Sequence, residues 1–373
     1  MSAARILIVD DEPGMLRAVE RVLSPDYHVV ATPSSRAALS LAAEFVPDLA
    51  IMDIRMPDLD GFELMAQLKA RLPELDVILM TGSVDDLDDK LIRAIRSPAF
   101  FFIQKPFDRE VLKTLVERCV ELRWRREEHR RHLERLETEI AEATAFQRSL
   151  LPPPEATVNG VAIACRYTPC LDIGGDLYDY AAAPSETTAL LVADVSGHGV
   201  SAAMLTGIVK SAFHSSHVDG FEPSAVVERV ASSLAAFSPE RFVTLIAALV
   251  ARSAGTLRYV NAGHPRMALW GRTREPRWMD TTGPLVSPAL FGACTWDVAA
   301  VPIEPGDQLL IYTDGVSDVI ADADGRAEAR FASTIAASND GASVVDAILA
   351  AVQSDLGDLP QPDDLTLLSA RVL

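Results

Sequence analysis

The sequence predicts a multidomain protein: an N-terminal α/β domain on a doubly wound parallel sheet, a helical linker, and a C-terminal α+β sandwich. Three observations carry this expectation. Short, wholly apolar runs near the N-terminus end beside polar residues and alternate with helical stretches, the pattern of strands buried on both faces of a parallel sheet. Residues 111–150 then contain neither glycine nor proline. Downstream, strand-like runs cluster as hairpins instead of alternating strictly with helices, which favours antiparallel sheets. With 373 residues, 49% of them hydrophobic, the chain has enough apolar mass for separate cores.

In order along the chain, Ile6-Leu7-Ile8-Val9 ends at Asp10, and Leu49-Ala50-Ile51-Met52 ends at Asp53. Val77-Ile78-Leu79-Met80 precedes Thr81, and Phe100-Phe101-Phe102-Ile103 comes just before Lys105. Helices are expected over residues 14–23, 35–45 and 61–71. Functional groups of open α/β sheets gather at the carboxyl ends of strands, where Asp10, Asp11, Asp53, Thr81 and Lys105 all fall.

Hydrophobic residues between 111 and 150 recur at spacings of three and four. Leu115, Leu122, His129, Leu136, Ala143 and Leu150 share one heptad position, and Cys119, Arg126, Leu133, Ile140 and Gln147 share the other. This pattern predicts a helix with a coiled-coil seam and, through it, a homodimer; Arg126 and His129 interrupt the seam. Pro152-Pro153-Pro154 ends the helix. Beyond it, strands are expected over 189–193, 242–250, 256–260, 308–312 and 365–368, with helices over 202–216, 223–237 and 343–353. The expected domains are 1–120, 121–150 and 151–373.

The formal net charge of −19 argues against nucleic acid or an anionic membrane as partner. Cys119, Cys165, Cys170 and Cys294 form no Cys-x-x-Cys pair, as expected of buried thiols in a reducing compartment. The first residues lack the apolar run of a signal peptide, so a cytoplasmic location is expected.

Asp10, Asp11 and Asp53 can hold one Mg²⁺, with the Arg55 carbonyl as a further oxygen ligand, and Lys105 can meet a phosphoryl group on Asp53. Singly, each of these acids could be a turn residue or helix cap. In this order and spacing, Asp10-Asp11, Asp53, Thr81 and Lys105-Pro106 resemble the two-component receiver domains over residues 4–120. That resemblance implies phosphoryl transfer from a histidine kinase to Asp53, with Thr81 and Phe102 as the switch positions. It also implies a cis peptide before Pro106.

Four further acids each sit beside a glycine, a turn or a strand end: Asp176 after Gly174-Gly175, Asp194 before Val195-Ser196-Gly197-His198-Gly199, Asp314 before Gly315, and Asp363 before Asp364. Hard divalent cations such as Mg²⁺ and Mn²⁺ favour such oxygen donors, so the set suggests a two-metal hydrolytic site. Ser196 and His198 also suggest a Ser/His hydrolase, for which no acidic third member or oxyanion-hole motif is evident. With Asn261-Ala262-Gly263-His264-Pro265, Pro305-Gly306-Asp307 and residues 147–152, the four segments resemble PPM-type (type 2C) metal-dependent Ser/Thr protein phosphatases of the SpoIIE branch, over residues 145–371. The resemblance implies that Asp194 bridges two cations, that Asp176 and the Val195 carbonyl serve one, and that Asp314 and Asp363 serve the other. Val286 and Ser317-Asp318 depart from that family's usual residues without touching these ligands. The role of His198 stays open, and Asp179 and Asp364 fit either outer-shell or turn positions.

Joined, the two resemblances imply a response regulator whose output dephosphorylates phosphoserine or phosphothreonine on a partner protein, often an anti-sigma-factor antagonist in this branch. The alternative is a non-catalytic adaptor that binds or sequesters a sigma factor or other regulator. All four acids at metal-ligand positions favour the enzyme.

Overall fold

The computed structural model describes residues 3–82, 100–197, 199–273, 275–320, 327–338 and 341–373. The chain divides into two compact units, Met1–Arg135 and Leu136–Leu373.

In the first unit, β1 (Arg5–Val9), β2 (His28–Thr32), β3 (Leu49–Asp53), β4 (Asp76–Thr81) and β5 (Phe100–Gln104) form one parallel sheet in the order β2-β1-β3-β4-β5. Helices α1 (Pro13–Leu23), α2 (Ser35–Phe45) and α3 (Gly61–Arg71) start where the sequence signals they should. Pro13 occupies the first turn of α1, the Ser34 hydroxyl accepts from the Ala37 N–H, and Asp60 with Glu63 forms a capping box on α3. Strand side chains alternate between two cores. Ile6, Ile8, Ile51 and Ile78 pack with Leu16, Val19 and Leu112, while Leu7, Val9, Ala50 and Met52 pack with Ala38, Ala42 and Leu64. That two-sided burial explains the wholly apolar runs. Strand β2 was not anticipated, because Val29, Val30 and Ala31 are only half-buried and its pattern is weaker.

Helix α4 (Arg109–Leu150) is 42 residues long. Part of the expected seam is taken up by the first unit's own core. Leu112, Val116, Cys119 and Val120 are buried in the first unit's core, with Leu115 packed against them. Arg126 reaches inward to the buried Asp76 at 2.6 Å. Leu122, Leu133, Leu136 and Ile140 are left as an exposed apolar stripe.

The second unit is a sandwich of two antiparallel sheets with helices outside both. One sheet has the order β14-β11-β10-β9-β8, built from β8 (Asp176–Ala183), β9 (Thr187–Val195), β10 (Val243–Ala251), β11 (Thr256–Ala262) and β14 (Ala299–Pro302). The other has the order β13-β12-β15-β16-β7-β6, built from β6 (Glu155–Val158), β7 (Val161–Thr168), β12 (Met267–Trp270), β13 (Arg277–Met279), β15 (Gln308–Tyr312) and β16 (Leu365–Val372). Between the sheets Tyr178, Leu190, Val192 and Ile246 meet Ile163, Leu269, Ile311 and Leu368. Helices α5 (Val200–Ser215) and α6 (Pro223–Leu234) cover the first sheet; α7 (Asp314–Ile320), α8 (Glu328–Ala337) and α9 (Gly341–Leu356) cover the second. Among the described residues no helix is long and apolar enough to cross a membrane.

Candidate metal centre

Asp176 opens β8 and Asp194 lies one residue from the end of β9, and antiparallel pairing sets the two directly opposite each other. On the second sheet, Asp314 follows β15 at the start of α7, and Asp363 lies two residues before β16, the partner of β15. Two hydroxyls join the sheets: Thr313 donates to Asp176 Oδ2 at 2.8 Å and Thr366 donates to the same oxygen at 2.6 Å.

The Gly174-Gly175 turn is shaped from below. Asp364 is buried, its Oδ2 accepting from the Gly175 N–H at 2.5 Å and the Asp176 N–H at 3.3 Å, its Oδ1 from the Cys170 N–H at 2.8 Å. A Cβ on Gly174 would lie 2.1 Å from Asp364 Oδ2, and one on Gly175 would lie 2.6 Å from the Val195 carbonyl oxygen. Only glycine fits at either position. Gln147 of α4 is buried against the same turn, giving its amide to the Gly174 carbonyl and accepting the Gly174 N–H.

The four acids share one electrostatic environment. Burial, followed by the charges of Asp314, Asp363 and Asp364, pushes the Asp194 carboxyl up to about 7. Burial and then Asp194 raise Asp176 well above the ordinary carboxylate range; burial and then Asp363 raise Asp314. Carboxylates crowded like this favour protons unless a cation takes their place. The donor set is all oxygen and the glycine turn leaves the Val195 carbonyl room, so the residues fit hard divalent ions. Cys170, Asp363 and Asp364 also bring ligand atoms within 4.8 Å of one another, but both Asp364 oxygens are already engaged by backbone N–H groups.

Other residues singled out by sequence fall elsewhere. Asp179 turns to α5, where Lys210 Nζ lies 2.5 Å and His214 Nε2 2.9 Å from its Oδ2, so it braces that helix. The Ser196 hydroxyl accepts from the Phe242 N–H at 3.0 Å; His198 lies outside the described residues. His264 is buried, its Nδ1 2.8 Å from the hydroxyl of Thr244, which pairs across strands with Asp194. Burial pushes this imidazole down to about 3, so it is neutral. Sequence reasoning missed Thr313 and Thr366; their placement next to Asp314 and two residues past Asp364 was the available signal.

In the first unit the reversal of strand order between β1 and β3 brings Asp10 and Asp53 together. Lys105 Nζ lies 2.7 Å from Asp10 Oδ2 and 2.9 Å from Asp53 Oδ1. Burial alone would lower the lysine, but hydrogen bonds and charge from Asp10 and Asp53 prevail and raise it. Asp10, Asp53 and Thr81 are buried, Asp11 and Arg55 are exposed, and Phe102 packs against the core under α2 and α3. The Lys105-Pro106 peptide is cis.

The family model for Stage II sporulation protein E (SpoIIE) matches residues 184–373, half of the chain. The chain belongs to the SpoIIE family. The response regulator receiver domain model matches residues 6–117, so this SpoIIE-family chain carries a receiver ahead of a PPM-type phosphatase domain. Regulatory protein AtoC of Escherichia coli (strain K12) is 34% identical over 127 residues, covering 34% of this chain and 27% of AtoC. The chain thus spans about a quarter of the length of the curated relatives it matches. Among solved structures, the SiaA-PP2C domain of Pseudomonas aeruginosa superposes with a TM-score of 0.56 at 22% identity, over 64% of this chain and 98% of that one. The phosphatase domain of SpoIIE from Bacillus subtilis, with a fragment of its regulatory domain, gives 0.50 at 14% identity, over 57% and 61%. These two superpositions establish a common fold.

Proposed function

We propose that this chain is a response regulator whose output is hydrolysis of phosphoserine or phosphothreonine on a partner protein, in the manner of an anti-sigma-factor antagonist phosphatase. The observation that carries the reading is the convergence of Asp176, Asp194, Asp314 and Asp363 from two sheets into one all-oxygen cluster, in which burial and neighbouring charge raise Asp176, Asp194 and Asp314 above the usual carboxylate range.

In this reading Asp194 faces both cation positions, Asp176 and the Val195 carbonyl hold one, and Asp314 and Asp363 hold the other. Bound there, two Mn²⁺ or Mg²⁺ ions supply Lewis-acid activation of water and neutralise charge on the phosphoryl group. The protein's part is placement. Thr313 and Thr366 fix one Asp176 oxygen, leaving the other for the cation. Asp364, Gln147 and the two glycines hold the turn that sets Asp176 and the Val195 carbonyl.

For input, a histidine kinase transfers a phosphoryl group to Asp53, with one Mg²⁺ held by Asp10, Asp11, Asp53 and the Arg55 carbonyl. Lys105 already bridges Asp10 and Asp53 and would pair with the added charge. Thr81 and Phe102 carry the change outward, and the exposed stripe on α4 pairs two copies of the chain. The boundaries that suit these roles are 1–120, 121–150 and 151–373.

The test is phosphate release from phosphoserine peptides in Mn²⁺, with and without a phosphoryl donor. Release that persists in excess EDTA would refute the metal-dependent reading.

A further inference from the structure

The acidic centre leaves a question of charge. A phosphomonoester dianion must approach four carboxylates, yet among the described residues the lysines and arginines of this unit that form ion pairs are held on other acids: Arg166 on Asp346, Lys210 on Asp179, Arg229 on Asp219, Arg258 on Glu222, Arg266 on Asp280 and Glu328, and Arg330 on Asp355. Arg241 differs. No carboxylate pairs with it among the described residues; its Nη1 donates to the Ser196 carbonyl at 2.9 Å and its Nη2 to the Ser201 hydroxyl at 3.0 Å.

Its position follows from strand register. Val243 of β10 pairs with Val195 and Thr244 with Asp194, so Arg241 lies beside the segment that continues directly from those residues. Gly197 adopts φ +87, and a Cβ there would lie 3.2 Å from Arg241 Nη1, so the guanidinium lies close along the loop backbone. The same loop faces the Asp176 turn, since a Cβ on Gly175 would lie 3.0 Å from the Gly197 carbonyl oxygen. Two acceptors occupy two of the five guanidinium N–H groups and fix the plane of the fork. The others remain for an incoming anion, and a planar fork matches two phosphoryl oxygens.

We propose that Arg241 recognises the phosphoryl group of the substrate at the rim of the metal centre, a role that rests on the phosphatase reading above. Its counterpart is a phosphomonoester dianion, and inorganic phosphate, the product, binds the same fork.

The test is isothermal titration of inorganic phosphate into the full-length Mn²⁺-loaded chain, comparing wild type, Arg241→Gln and Arg241→Lys, with Mn²⁺ titrated separately into each metal-free protein. Loss of charge-assisted hydrogen bonds weakens phosphate binding by about tenfold to a hundredfold in Arg241→Gln. Arg241→Lys falls between, and Mn²⁺ affinity stays within about twofold of wild type, below the 1.4 kcal/mol that a tenfold change represents. Unchanged phosphate affinity, or a loss matched by an equal loss of Mn²⁺ affinity, overturns the inference, the second outcome making Arg241 a loop brace. Turnover of a phosphoserine peptide by wild type, run alongside, separates the two layers. An active wild type with unaltered phosphate binding in Arg241→Gln sinks the recognition role alone, whereas a wild type that neither binds phosphate nor turns over sinks the phosphatase reading beneath it.

Discussion

Gln147 and Gly174 exchange two hydrogen bonds: the Gln147 amide donates to the Gly174 carbonyl at 2.6 Å, and the Gly174 N–H donates to Gln147 Oε1 at 3.2 Å. The last turn of α4 is therefore fastened to the turn that presents Asp176. Gln147→Ala strands two buried backbone groups, a loss of about 1–3 kcal/mol. Thermal unfolding of the metal-free chain should show that loss, and the Mn²⁺ concentration for half-maximal turnover should rise.

Asp364→Asn tests the same turn from the other side. The carboxylate accepts from three backbone N–H groups, whereas an amide offers one oxygen and turns its NH₂ toward donors. A destabilisation of about 1–3 kcal/mol is expected. Mn²⁺ affinity measured by calorimetry should fall with it, although Asp364 is not among the proposed ligands.

The raised carboxyls give a pH signature. A carboxyl whose folded pKa lies above its unfolded value binds protons better when folded, so its stabilising contribution is complete below the unfolded value and is lost as pH rises through the folded one. Asp194, raised from 3.8 to about 7, places that loss between those values. The metal-free protein should melt at progressively lower temperature from pH 5 to pH 7.5, and Mn²⁺ should restore stability most at the upper end. A metal-free melting temperature that rises across this window would contradict the clustering of charge.

The exposed stripe of Leu122, Leu133, Leu136 and Ile140 suits a partner helix. Leu133→Glu with Ile140→Glu should halve the molecular mass measured by light scattering and leave phosphorylation of Asp53 intact. If the stripe also carries the signal, the double variant should lose the response of turnover to a phosphoryl mimic, whose expected direction is activation.

Much of this was legible in the sequence, for physical reasons. Strands buried on both faces, such as Leu49–Asp53, announce themselves as unbroken apolar runs, and glycine-flanked aspartates mark the turns that hold them. Strand β8 was not legible, because Asp176, Asp179 and two tyrosines interrupt its apolar pattern for the sake of the centre, the α5 brace and the contacts from Tyr178 and Tyr180 to the Pro152 and Pro153 carbonyls. Short edge strands such as Arg277–Met279 carry too few residues for a period to show. Heptad spacing overreached at Cys119 and Arg126, since a helix that packs on a sheet uses the same spacing as one that packs on another helix.

The most direct measurement is phosphate release from a phosphoserine peptide by full-length wild type and Asp194→Asn at saturating Mn²⁺, with circular dichroism to confirm that both are folded. Asp194 stands opposite Asp176 and within electrostatic reach of Asp314 and Asp363, so the variant should fall to background while still accepting a phosphoryl group on Asp53. Turnover in Asp194→Asn equal to wild type would contradict a two-cation centre built on these four aspartates.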